Sequence, residues 1–214
     1  MSNTVLPLEH VRYREAAGVL ARAFQDDPVA VAILKGLTLE KRIKILTISF
    51  DADLQTCGPK GCPLKVVKED KIAGAAVIHR PSAYPLPASK QIGLLWKVFT
   101  KGLMTTWAPA AFGRWFKWLT AIEKEHPKEP HYYLEFIGID TPVQGKGLGS
   151  QMLQSLVGRA DEERTGCYLE TGNPRNVPLY QGFGFQTTAE KEVIGVHTWF
   201  MWRPPVSQPA IMSL

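Results

Sequence analysis

Gln144-Gly145-Lys146-Gly147-Leu148-Gly149-Ser150 stands between an apolar segment, residues 132–139, and an amphipathic one, residues 151–164. That order predicts a strand ending in alternating glycines that then opens a helix. Glycines let backbone N–H groups turn inward with no Cβ in the way. A helix N-terminus adds unsatisfied donors and a partial positive charge, and Lys146 adds a full one. Such a turn suits a diphosphate; without a ligand it is only a tight strand-to-helix connection. Two common phosphate loops are excluded by the spacing. A Walker A loop needs Ser or Thr after its lysine, where this chain has Gly147, and a dinucleotide loop needs a third glycine where it has Ser150.

Around this turn, 214 residues suffice for one large domain or two small ones with a buried core. Hydrophobic residues at 45% and charged ones at 21% fit a soluble globular enzyme. The net charge of +5 suits an anionic ligand, but the basic residues are scattered, which argues against nucleic-acid binding. Cys57, Cys62 and Cys167 are too few for a disulfide framework, with a Cys57–Cys62 bridge as the alternative to free thiols. No second Cys/His pair accompanies Cys57 and Cys62, so zinc is disfavoured and no metal is expected. Residues 1–9 lack a signal-peptide pattern and no apolar run reaches about 18 residues, so a cytoplasmic protein that does not span a membrane is expected.

Hydrophobic periodicity organises the remainder. Residues 5–8, 64–68, 71–79, 132–139, 167–171, 185–190 and 196–202 read as strands. Residues 10–25, 40–54, 91–103, 110–125, 150–164 and 177–181 read as helices, and Pro28 is placed to start another. Residues 57–63 and 84–87 read as turns, and 206–214 as a loose tail. The strand–helix–strand unit over 132–171 makes its two strands parallel, with hairpins at both ends of the chain. The fold class is therefore α/β (α+β), one domain over residues 1–205 with a mixed sheet of about six to seven strands. Trp96, Phe99, Trp107, Trp115, Phe116 and Trp118 form either ordinary core or the wall of an acceptor pocket.

Three further segments accompany the glycine turn. Leu134-Glu135-Phe136-Ile137-Gly138-Ile139-Asp140 leads into it, and Leu169-Glu170-Thr171 ends the next strand. Asn173-Pro174-Arg175-Asn176-Val177-Pro178-Leu179-Tyr180 comes next, with Gly182-Phe183-Gly184-Phe185 just beyond. Together with the spacing Gln-x-x-Gly-x-Gly from Gln144 to Gly149, this resembles the GNAT superfamily of N-acetyltransferases. The likeness is closest to puromycin N-acetyltransferase-like members, through Pro127-Lys128-Glu129-Pro130, Gln144 to Ser150, Leu169-Glu170-Thr171, Pro174-Arg175-Asn176 and Thr198-Trp199. These pieces span residues 126–203, whereas the first half matches only at Ala23-Phe24 and Asp27-Pro28. The resemblance implies the GNAT fold, with residues 126–205 holding acetyl-CoA and residues 1–125 shaping the acceptor site.

It also implies roles. A bulge splays the two central parallel strands into a V, and the free edge bonds the pantetheine through Ile137, Gly138 and Ile139. A backbone N–H there also stabilises the charge that develops on the thioester oxygen. Gln144, Gly145, Lys146, Gly147, Leu148, Gly149 and Ser150 take the pyrophosphate, while Asn173 and Asn176 bond the pantetheine or cap the next helix. Tyr180 meets the departing sulfur as acid. A thiol pKa near 8.5 against a phenol near 10 makes full proton transfer uphill by about 2 kcal/mol, so hydrogen bonding with late transfer is expected. Glu170 ranks first as base and Glu135 second, against structural roles for each: Glu170 satisfied by backbone or Arg175, Glu135 facing solvent. His79, His131 and His197 read as surface or internally satisfied. Cys167 has no paired histidine, so direct transfer to a primary amine without an acyl-enzyme is expected.

The alternative is a catalytically silent acyl-CoA sensor or scaffold. Puromycin, polyamines, aminoglycosides, other amino-nucleosides and peptide amines stay open as acceptors, with Asp26, Asp27 and Glu170 able to attract a cation. The assembly is a monomer or a homodimer, the latter pairing through an exposed last strand.

Overall fold

Seven strands form the sheet: β1 (Thr4–Pro7), β2 (Leu64–Lys68), β3 (Lys71–His79), β4 (His131–Ile139), β5 (Gly166–Thr171), β6 (Gln186–Val193) and β7 (Val196–Arg203). This computed structural model describes residues 4–57, 63–68, 70–84 and 109–206. The strands lie in the order β1-β2-β3-β4-β5-β7-β6, and only β4 and β5 run parallel. The mixed sheet expected from the strand–helix–strand unit is therefore present. The last strand is not an edge: β7 lies between β5 and β6, so β6 is exposed in its place and the expected dimer edge is displaced by one strand.

Six α-helices are described: α1 (Tyr13–Ala23), α2 (Pro28–Ile33), α3 (Leu39–Cys57), α4 (Pro109–Glu125), α5 (Leu148–Glu162) and α6 (Val177–Gly182). The expected helix over 91–103, with Trp96, Phe99 and Trp107, lies outside the described residues, as do Cys62 and the tail beyond residue 206. Asp27 caps α2, its carboxylate accepting from the N–H groups of Val29 (2.9 Å) and Ala30 (3.3 Å), while Pro28 occupies the first turn, where a missing N–H leaves nothing unpaired. Helix α5 starts two residues earlier than periodicity predicts, because Leu148 is already a buried core residue.

Helices α1 and α3 cover one face of the sheet, where Leu20, Phe50 and Val77 share a core. Helices α5 and α6 cover the other, with Leu134, Leu153, Leu169 and Tyr180. Close approach of α1 to β4 requires Gly138. A Cβ there would sit 2.8 Å from that of Ala23 and 3.1 Å from a Leu20 methyl. The bidentate ion pair of Arg22 with Asp140 (2.9 and 2.7 Å) then ties α1 to the point where β4 ends.

Two irregularities open the sheet at its centre. The β3–β4 register passes from Val77↔Phe136 to Ile78↔Leu134, leaving Glu135 as an extra residue in β4. The β4–β5 pairing stops at Tyr133↔Tyr168, although β4 runs on to Ile139 and β5 to Thr171. Past the bulge the two central strands separate. The V-shaped splay implied by the family resemblance is present.

Candidate active site

The open edge of β4 is defined by alternation. In antiparallel pairs, the N–H and C=O of one residue point to the same neighbour, and successive residues alternate. Asp140 N–H donates to Ala73 of β3 at 2.8 Å, so Gly138 also turns its backbone groups to β3, opposite Ala75. Ile137 and Ile139 then face the gap, and Ile139 C=O accepts from the Gln144 side chain at 2.9 Å on that side. Of the three expected edge residues, Gly138 therefore turns its backbone groups away from the gap, and its missing side chain is what admits α1.

The strand ends in the glycine turn. Gly145 and Gly147 have φ of 76° and 74°, the left-handed region open to glycine, and flank the exposed Lys146. Gly147 is the N-cap of α5 and no side chain caps that end. The N–H groups of Leu148, Gly149 and Ser150 thus have no acceptor inside the helix, the first such bond running from Gln151 to Gly147. Gln144, through its bond to Ile139, fixes the turn on the strand.

A cavity of about 180 Å³ adjoins the gap. Its floor is the sheet, with Tyr133, Glu135 and Phe136 of β4 and Glu170 of β5, and its roof comes from α2, α3 and α4. Tyr180 of α6 and Asn176 before it close one side. The bulge accounts for Glu135 and Phe136 both facing it.

Glu170 is strongly perturbed. One oxygen accepts from the Tyr133 hydroxyl at 2.6 Å; the other is buried with no partner among the described residues. Arg175 is not its partner. Burial, with a smaller contribution from the Glu135 charge, raises its pKa to about 8, against a lowering by the Tyr133 bond. Glu135, 19% exposed at its side chain, is bonded to His79 Nε2 at 2.7 Å and is not a solvent-facing strand residue. His79 corrects the expectation of a surface or satisfied histidine: it is 1% exposed, and Nδ1 has no partner among the described residues. His131 is satisfied by Glu129 C=O and His126, and His197 is exposed beside Glu190.

Tyr180 is buried, with no hydrogen-bond partner for its hydroxyl among the described residues. Burial, then the charges of Asp27 and Glu170, hold its pKa well above the usual phenol range. Asn173 accepts from Arg175 N–H at 3.1 Å and so fixes the turn, while Asn176 makes no capping bond and lines the cavity. Cys167 is fully buried and its thiol is pushed up to about 12 by burial, which makes it an inert core residue. Trp115 and Trp118 line the cavity, whereas Phe116 is 55% exposed. Asp26 is exposed beside Arg42 and stands outside it.

Three cavity-region groups escape the sequence reading: His79, Tyr133 and Asp53. Tyr133 was accessible by period two from Glu135. Asp53 continues the inward stripe Leu46–Phe50 on α3, where a charge among apolar positions is itself a signal. His79 requires the β3–β4 register, which periodicity does not supply.

Known proteins resemble this chain in sequence or in fold. An uncharacterized N-acetyltransferase of Schizosaccharomyces pombe is 26% identical over 181 residues, 81% of this chain and 70% of that protein. A Corynebacterium glutamicum structure described as histone acetyltransferase HPA2 and related acetyltransferase superposes with a TM-score of 0.73, at 23% identity over 99% of this chain and 100% of that one. Arylalkylamine N-acetyltransferase 2 of Aedes aegypti gives 0.63, at 13% identity over 95% and 99%. The Drosophila melanogaster polyamine N-acetyltransferase, which forms N-acetylagmatine, gives 0.60, at 13% identity over 94% and 98%. These likenesses at low identity carry the fold. The sequence pattern of the acetyltransferase (GNAT) family matches residues 32–185, from α2 through the gap, the glycine turn and Tyr180, and on that match the chain belongs to the GNAT family and is an N-acetyltransferase.

Proposed function

We propose that this enzyme moves an acetyl group from acetyl-CoA directly to the primary amine of a small molecule, within a complex of all three. The observation that carries this reading is the early end of the β4–β5 pairing, which opens a strand edge between the glycine turn and a cavity lined by Glu170 and Tyr180. The residues present fit the donor. Lys146 and the free N–H groups of Leu148, Gly149 and Ser150 suit its pyrophosphate, and the backbone of Ile137 and Ile139 suits its pantetheine amides. Acetyl-CoA supplies an acyl group activated as a thioester.

The chain's own residues supply proton handling. An ammonium must lose one proton before its nitrogen forms the C–N bond, and Glu170, in its ionised form, takes it. A second proton leaves the nitrogen as the C–S bond breaks, and the departing sulfur gains one. Tyr180, which lines the cavity, donates a hydrogen bond there. Its raised pKa keeps the phenol protonated, which favours hydrogen bonding over complete transfer. The sequence motifs bring puromycin-like amines among the candidate acceptors, and two fold relatives, whose names specify arylalkylamines and polyamines, support amines more generally.

Thiol release from acetyl-CoA in the presence of an amine panel, puromycin included, tests the reading with Tyr180→Phe as the variant. Losing a hydrogen bond to a charged sulfur, about 1.5–3 kcal/mol, slows transfer about 10–100-fold while leaving acetyl-CoA affinity unchanged. An unchanged rate refutes the role of Tyr180. Tight acetyl-CoA binding with no amine acetylated makes the chain a sensor instead.

A further inference from the structure

The cavity next to the gap carries chemistry that the transfer reading does not use. Four carboxylates line it, and three are engaged within the fold. Asp27 caps α2, Glu135 bonds His79 and Glu170 accepts from Tyr133. Asp53 of α3 has no hydrogen-bond or ion-pair partner among the described residues. Its carboxyl is held well above the usual range by burial and by the Glu135 charge, so a cation entering beside it would offset both. No Lys, Arg or His is found among the described residues that line the cavity. Around the acids the wall is aromatic, with Phe24, Phe50, Phe136, Trp115 and Trp118.

Resting on the proposed acetyl transfer, we propose that the acceptor is a compact primary monoamine with an apolar body, aromatic or branched, whose ammonium is held by Asp53 before Glu170 deprotonates it. Size supports this: an apolar cavity of about 150 Å³ binds benzene, so the 180 Å³ here accommodates about a ring and a short arm. The bulk of an aminonucleoside would have to stay outside it. Charge supports it too. One ammonium finds Asp53 and an aromatic wall, which together suit a cation on an apolar stem. Beyond Asp53, the second ammonium of a polyamine would find only carboxylates already engaged by the α2 N-terminus, His79 and Tyr133, and among the described residues the carboxylate of an amino acid would meet only acids.

The test compares 2-phenylethylamine and isoamylamine with spermidine, phenylalanine and puromycin at saturating acetyl-CoA. A monoamine with kcat/KM at least tenfold above each of the other three supports the proposal. Asp53→Asn is then expected to raise the monoamine KM at least tenfold with acetyl-CoA affinity and Tm unchanged, and Asp53→Glu to recover most of it. Equal or better use of spermidine, phenylalanine or puromycin overturns the acceptor class while leaving the transferase reading intact. An unchanged KM in Asp53→Asn overturns the role of Asp53 alone. Acetyl-CoA binding without turnover of any of the five overturns both readings together.

Discussion

The glycine turn after β4 and the cavity beneath α3 and α4 use different parts of the chain. The turn works with backbone: free N–H groups of Leu148, Gly149 and Ser150, left-handed Gly145 and Gly147, and one exposed lysine, all within a few consecutive residues. The cavity works with side chains gathered from the end cap of α1 and from α2, α3, α4, β4, β5 and α6. A backbone device demands glycine and fixed spacing, so it is written locally. A side-chain pocket demands only volume and polarity at positions that meet in three dimensions, so each contributor looks like an ordinary core residue in its own helix.

This contrast makes separable predictions. The largest effect belongs to Glu170→Gln, which removes the proposed base while keeping a bond to Tyr133. Transfer should fall about 10²–10⁴-fold in kcat/KM, with acetyl-CoA affinity unchanged by titration. A loss of both would mean that the two regions are not independent. Next is pH. With a Glu170 pKa of about 8, kcat/KM should rise with pH up to that value and level off, and Glu170→Gln should lack that inflection. Stability should move the other way. The folded protein keeps a proton on Glu170 that the unfolded chain, at 4.5, releases, so the ligand-free protein loses stability between about pH 4.5 and 8. Thermal unfolding across that range, where Glu170→Gln should lose stability less steeply than the unmodified protein because Asp27 and Asp53 still titrate, checks the sign.

Smaller effects probe the scaffold under the two regions. Gly138→Ala forces a Cβ against Ala23 and Leu20 and should cost about 1–3 kcal/mol, a fall of roughly 2–10 °C in Tm. Gly158→Ala, on α5 with nothing within 4 Å of its Cβ, should instead add up to about 1 kcal/mol. Urea unfolding of both reads the difference in sign.

Much of the donor side was legible in the sequence because its devices are contiguous. The parallel strands, the turn and the helix after it come from glycine spacing and one strand–helix–strand unit. The place where β4–β5 pairing stops was legible only through the family resemblance, since nothing in the composition of residues 131–139 marks Glu135 as the bulged position. Gly138 shows a further limit. Its value as an edge residue depends on which way its amide points, and the β3 register, not its identity, decides that. On the proposed acceptor side, Trp115 and Trp118 were visible as aromatics that could be either core or pocket wall, and the place of His79 in the site was not legible because its partner Glu135 is 56 residues away. Among the described residues no helix is long and apolar enough to cross a membrane.

Every role proposed for the donor side depends on the strand gap and glycine turn being the seat of acetyl-CoA. Isothermal titration of acetyl-CoA into the unmodified protein and into Lys146→Glu tests this directly. Lys146 is exposed, so the variant leaves packing intact while placing a negative charge where the pyrophosphate should lie. Saturable one-to-one binding is expected, weakened about tenfold or more in the variant and more salt-sensitive in the unmodified protein. Equal affinity in both proteins, or no binding in either, contradicts that seat.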